Sequence, residues 1–264
     1  MKPNGMKKIW QDGGAVLNGW LSIASPFTAE IMAAQGYDSV SVDLQHGIVD
    51  YQTAVSMFQA MAASGVTPMA RVPWLDPAAI MKVLDAGAYG VICPMINTRQ
   101  EAERLVSYVR YPPHGCRSFG PSRAVFSAGA DYGNHADQEI VCLGMIETRE
   151  GFDNLDDIVS TPGLDGVYVG PADLTLGLTG RSYPTGFDRE EPEMIAAIHR
   201  VLSSAHRAGI KACLHCGTPA YAAKAVGWGF DLVTVSNDVR LLAAAAAENV
   251  RSFRKFIGEG SGKA

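Results

Sequence analysis

The chain is short of charge, of cysteine and of long apolar runs, and each shortage removes a class of protein. Charged residues make up 19% of its 264 positions, 22 basic against 27 acidic, for a net charge of −5. No basic stripe runs through it, which argues against nucleic acid as the main partner. Lys2, Lys7 and Lys8 read instead as a solvated N-terminal face. No stretch approaches the ~20 uncharged apolar residues of a membrane span. Gln11-Asp12-Gly13-Gly14 interrupts the first apolar stretch, so no signal-peptide core is expected and the protein reads as cytoplasmic. The five cysteines are odd in number and mostly sit inside apolar runs, the pattern of free, reduced thiols. Cys213, His215 and Cys216 superficially suggest zinc, but no second ligand pair follows at finger spacing.

What the chain has is a repeated alternation of strand and helix signals, with 47% of its residues apolar. Short β-branched runs of the buried parallel type start at Val16, Ser39, Thr67, Gly90, Ile140, Gly166, Ile210 and Leu232. Helical spacing follows most of them: 27–36, 51–64, 77–86, 98–109, 149–159, 192–208, 219–226 and an alanine-rich 238–256. Asp76 before Pro77 reads as an N-cap and Gly87 as a C-cap. A doubly wound sheet would carry a glycine-rich phosphate turn after its first strand, and Ser22-Ile23-Ala24-Ser25-Pro26 stands there instead. The pattern predicts a single-domain (β/α)8 TIM barrel over 1–264. Residues 111–138, rich in Gly, Pro, Ser and Arg, are too long for an ordinary connection and are expected near the active site or at a subunit interface.

In such a barrel the chemistry lies at the C-terminal ends of the strands. The run ending at Ile146 stops at Glu147, and the run 166–172 stops at Asp173, so adjacent strands would present two acids side by side. Convergent carboxylates repel unless a proton or cation lies between them, and an oxygen-only pair suits magnesium, manganese or cobalt better than zinc. Asp43 and His46, Arg71 and Trp20 fall at the ends of three further strands. His46 is the natural acid/base near neutrality, with Asp85 at the end of its helix as a hydrogen-bonding partner that orients it. Arg71 offers a fork for a carboxylate or a developing oxyanion, or pairs structurally with Asp43. The Ala172 and Asp173 amides would meet an anionic ligand if a helix begins there. Met145 and Leu214, near the ends of their own strands, join Trp20 as expected substrate contacts. No lysine ends a strand, which excludes Schiff-base chemistry, and no nucleophile elbow surrounds a serine. Metal-stabilised enolate chemistry on a 2-oxo acid is what remains.

At these residues the sequence resembles the HpcH/HpaI family of metal-dependent pyruvate aldolases. Asn18-Gly19-Trp20, Asp43-x-x-His46, Ala70-Arg71-Val72-Pro73, Arg110-Tyr111-Pro112-Pro113-His114-Gly115-x-Arg117, Ile146-Glu147-Thr148-Arg149-Glu150 and Gly170-Pro171-Ala172-Asp173-Leu174 carry the likeness. The resemblance implies a divalent metal on Glu147 and Asp173, and cleavage of 4-hydroxy-2-oxo acids to pyruvate or hydroxypyruvate and an aldehyde. It implies His46 as acid/base with Asp85 raising its basicity, Arg71 as transition-state stabiliser and the Ala172 amide as a substrate contact. It also implies a hexamer, a trimer of dimers that swap their last helix. Met145 stands where many members have Gln, and Gln45 where Glu is frequent. Two related readings share the same enolate chemistry, a lyase of CoA thioesters and an oxaloacetate decarboxylase. A non-enzymatic 2-oxo-acid-binding protein is the remaining alternative.

Overall fold

A computed structural model describes residues 1–258. Eight parallel strands close into a barrel in chain order: β1 (Val16–Leu21), β2 (Ser39–Asp43), β3 (Thr67–Arg71), β4 (Gly90–Cys93), β5 (Val141–Ile146), β6 (Gly166–Val169), β7 (Lys211–Cys216) and β8 (Leu232–Val235). Strands buried on both faces need apolar residues on both, which is why the runs do not alternate with polar residues. Alternate residues divide into two packed layers. Val16, Trp20, Met69, Ile92, Val141, Leu143, Met145, Tyr168, Cys213 and Leu232 point inward. Their neighbours Leu21, Val42, Ala70, Val91, Ile146, Val169 and Leu214 pack under the helices.

The helices start where short polar side chains accept first-turn amides. Asp76 caps Pro77–Asp85, and Thr98 caps Arg99–Val109 through a reciprocal capping box with Glu101. Gly87 takes a φ of +106°, the left-handed turn that only glycine adopts without strain. Four features differ from the pattern read in the sequence. A helix, Gly5–Gln11, precedes the barrel and inserts Met6 and Trp10 into its inner core. The stretch 149–159 is two short helices, Arg149–Asp153 and Leu155–Val159, interrupted at Asn154. The run 166–172 is a strand only to Val169, because Pro171 opens a helix, Pro171–Thr179. The long connection 111–138 folds into Ala124–Ala128 and most of Tyr132–Glu139.

That connection joins a returning helix to the start of β5, so it lies at the end of the barrel opposite the strand C-termini. The amide of Lys2 donates to Ala128 O there, and Arg117 is buried between Tyr111 and Tyr132. Its own chain's active-site mouth is therefore not its neighbour. The closing helix, Asp238–Phe256, buries only Asp238 and leaves Leu241, Leu242, Val250, Phe253 and Phe256 exposed. No helix among the described residues is long and apolar enough to cross a membrane.

Candidate active site

The inward register carries polar side chains to the C-terminal mouth from five strands or their ends. Asp43 and Arg71 stand opposite each other in the β2–β3 pairing. Arg71 donates from Nε to Asp43 Oδ1 at 2.9 Å and from Nη2 to Oδ2 at 2.6 Å, a two-pronged ion pair. Trp20 Nε1 also donates to Asp43 Oδ2, at 3.2 Å, and the guanidinium lies 4.8 Å from the Trp20 ring centre. The amides of Gln45 and His46 donate to Asp43 Oδ1, which folds the turn after β2 and fixes the His46 backbone. Burial alone would raise the Asp43 carboxyl, but the bonds and charge of Arg71, with help from His46 and Trp20, hold it below the ordinary carboxylate range. Arg71 Nη1 makes no hydrogen bond to the described residues, leaving one edge of the fork open to the mouth. The His46 side chain is exposed there.

Glu147 follows β5 and is buried, only 3% exposed. Its Oε1 accepts the Met95 amide at 2.9 Å, and Met95 holds a φ of +57°, a left-handed conformation unusual for a side chain of its size. Its Oε2 accepts no bond from the described residues. That oxygen faces Gly170, where a Cβ would overlap it, so the glycine keeps open the space beside the carboxylate. Burial above all, with the charge of Asp173 adding to it, pushes the Glu147 carboxyl up to about 7 against the opposing Met95 amide and Arg71. Asp173 is not at a strand end; it lies in the first turn of Pro171–Thr179, and its charge bears on Glu147 from a helix N-terminus. Gly170 caps that helix without a side chain, so the first-turn amides at Ala172 and Asp173 remain free for an anion.

Other expected members are placed elsewhere. Asp85 ends a helix that runs back along the barrel, at the face opposite His46, and its carboxylate accepts from Arg117 Nη2 at 2.7 Å. It shares no hydrogen bond with His46 of the same chain. Leu214 packs in the outer layer, and its neighbour His215 takes the inward position at the end of β7. Met145 points inward directly below Glu147, with its methyl group beside Gly170. Cys213 faces the barrel interior and Cys216 the helices, so the two cannot share a zinc ion. Among the described residues no three His, Cys, Asp or Glu side chains converge as a metal cluster. His215 was legible only through strand parity, because it stands two residues after inward-facing Cys213.

A family model described as HpcH/HpaI aldolase/citrate lyase matches residues 17–245. The chain belongs to that family. It is 41% identical to a hydroxypyruvate/pyruvate aldolase of Rhizorhabdus wittichii, over 95% of this chain and 99% of the relative. It is 35% identical to a protein of the same name from Chromohalobacter salexigens, over 96% of this chain and 98% of that one. Its fold superimposes on an HpcH/HpaI aldolase/citrate lyase family protein of Burkholderia cenocepacia with a TM-score of 0.86 at 32% identity, covering 95% and 99% of the two chains.

Proposed function

We propose that the chain is a metal-dependent aldolase that reversibly cleaves 4-hydroxy-2-oxo acids to pyruvate or hydroxypyruvate and an aldehyde. The observation that carries this reading is the buried Glu147 carboxylate, with one unpartnered oxygen in a space kept clear by Gly170 and a second acid, Asp173, close enough to raise its pKa. Two carboxylates with no imidazole beside them fit a hard divalent cation such as magnesium, manganese or cobalt, which takes its remaining oxygens from water and substrate. When bound, such a cation supplies positive charge at the carboxylate and keto oxygens of a 2-oxo acid.

The chain's own residues supply the rest. The amides at Ala172 and Asp173 receive the substrate carboxylate at the helix N-terminus. Arg71, locked by Asp43, turns its free Nη1 edge toward the oxygen on which negative charge develops. His46 takes the proton of the 4-hydroxyl as the C3–C4 bond breaks and its electron pair moves toward C2, releasing the aldehyde. A proton returned to C3 then completes the keto acid. Asp85 can serve His46 only from a neighbouring copy, because its own chain places it at the far end of the barrel. The exposed apolar face of Asp238–Phe256 fits a helix exchanged between subunits of a hexamer.

Aldol cleavage assayed with and without a chelator tests the proposal. Chelation is expected to abolish release of pyruvate from 4-hydroxy-2-oxo acids, and manganese, magnesium or cobalt to restore it. Full activity after rigorous metal removal would refute it.

A further inference from the structure

Six polar side chains form one hydrogen-bonded row across the barrel interior. Asn18 Oδ1 accepts the hydroxyls of Ser39 at 2.8 Å and Ser41 at 3.1 Å, and the Asn18 amide donates to Thr234 Oγ1 at 2.8 Å. The Tyr168 hydroxyl donates to the same Thr234 oxygen at 2.7 Å. With the Tyr168 proton assigned to Thr234, the Tyr168 oxygen meets His215 Nδ1, 3.0 Å away, as an acceptor, which assigns the ring proton to Nδ1. His215 Nε2 is then a bare lone pair, and it is buried without a hydrogen-bond partner. Burial first, and the charge of Arg71 second, press the ring's pKa down to about 3, so the imidazole stays neutral wherever the enzyme works.

A buried acceptor of this kind calls for a donor. None of the donors around it bonds to it. Trp20 Nε1 binds Asp43 and meets the His215 ring edge to face at a centroid distance of 5.0 Å. Two edges of Arg71 bind the same carboxylate. Phe187 covers His215 at 4.4 Å, and Arg240 lies 4.6 Å from the centre of the Phe187 ring. Yet His215 occupies the inward register at the end of β7, beside the Trp20–Asp43–Arg71 group that lines the mouth. A carboxylate or keto oxygen has no proton to give it; a substrate hydroxyl does.

We infer that His215 determines substrate specificity, its Nε2 accepting a hydrogen bond from a hydroxyl next to the reacting carbons. This rests on the aldolase reading above. The hydroxyl belongs either to the nucleophilic keto acid, as in hydroxypyruvate, or to the aldehyde, as in glycolaldehyde, and substrate pairs separate the two. A site built to bind a hydroxyl loses that discrimination when its acceptor is removed.

The experiment compares wild type, His215→Asn and His215→Gln on three pairs: pyruvate with propanal, hydroxypyruvate with propanal, and pyruvate with glycolaldehyde. Asparagine keeps an amide nitrogen near the Nδ1 position, so the Tyr168 contact persists while the outer acceptor goes; glutamine returns a polar atom near Nε2. His215→Asn is expected to lower kcat/KM at least about tenfold for one hydroxyl-bearing pair, with pyruvate and propanal changed less than about threefold and His215→Gln recovering part of the loss. Loss on the hydroxypyruvate pair assigns the hydroxyl to the keto acid, and loss on the glycolaldehyde pair to the aldehyde. An equal change on all three pairs, or none on any, would overturn the inference while leaving the aldolase reading intact. Failure of wild type to turn over any pair would overturn both. Should His215→Asn not fold, the 15N resonance of Nε2 in histidine-labelled wild type decides the matter. It should move on adding hydroxypyruvate or glycolaldehyde and stay still with pyruvate; a resonance unmoved by all three refutes the inference.

Discussion

Asp43 and Arg71 hold each other through two guanidinium nitrogens, and nearly everything at the mouth hangs from that pair. Breaking a buried pair by neutralising one member leaves the other charge without compensation, at a cost of about 3 kcal/mol. Asp43→Asn is therefore expected to destabilise the protein by about that much at neutral pH, read from urea unfolding. The folded state holds the Asp43 carboxyl below its ordinary value. Its contribution is thus fully present above the unfolded carboxyl's pKa and disappears as pH falls through the lower folded value. The gap between wild type and Asp43→Asn should close in strongly acid solution and be constant from pH 6 to 8; a gap that widened on acidification would contradict this. Arg71→Lys keeps the charge but loses the planar fork, and kcat should fall about a hundredfold with little change in fold. Asp43, Arg71 and Glu147 were legible in the sequence because each ends an apolar run, where an ionisable group is costly unless used. Asp85 ends a returning helix, which carries it to the other end of the barrel in its own chain, so its expected role toward His46 needs a neighbouring copy. His215 was hidden by its two neighbouring cysteines, which drew attention to zinc.

At the scale of elements, the junction between β6 and the helix Pro171–Thr179 decides how the two acids meet. Gly170 accepts no side chain there, because a Cβ would strike the Glu147 carboxylate. Gly170→Ala should weaken divalent-metal binding by about tenfold in calorimetric titration, the scale on which disturbing the support of a metal ligand is felt. Unaltered metal affinity would show that Glu147 Oε2 does not need that space. The sequence run 166–172 pointed to this place but extended the strand too far. Gly170-Pro171 is compatible with a strand end or a helix start, and only tertiary packing chose the latter. The break at Asn154 and the helix Gly5–Gln11 leave no mark in the sequence for a related reason: segments of five to seven residues carry too few turns for a periodic signal.

The whole molecule was the most legible level. Eight buried apolar runs separated by helical spacing leave few topologies, and a closed parallel barrel satisfies every strand edge. Two features of the whole remain unexplained by a single copy. Asp85 lies away from the mouth, and the last helix keeps Leu242, Phe253 and Phe256 in water. Both are resolved if copies associate. Leu242→Glu combined with Phe253→Glu is expected to reduce the mass measured by light scattering from that of an oligomer to that of one chain. A wild type that already runs as a single chain would refute association through this face.

We propose that Glu147 and Asp173 serve a cation that makes a 2-oxo acid give up its C3 proton. The most direct test is exchange of the pyruvate methyl protons with deuterated water, followed by proton NMR. The methyl signal is expected to disappear with wild type and magnesium, manganese or cobalt, and to be retained after chelation or with Glu147→Gln. Exchange that continues at the wild-type rate in the chelated protein or in Glu147→Gln would contradict it.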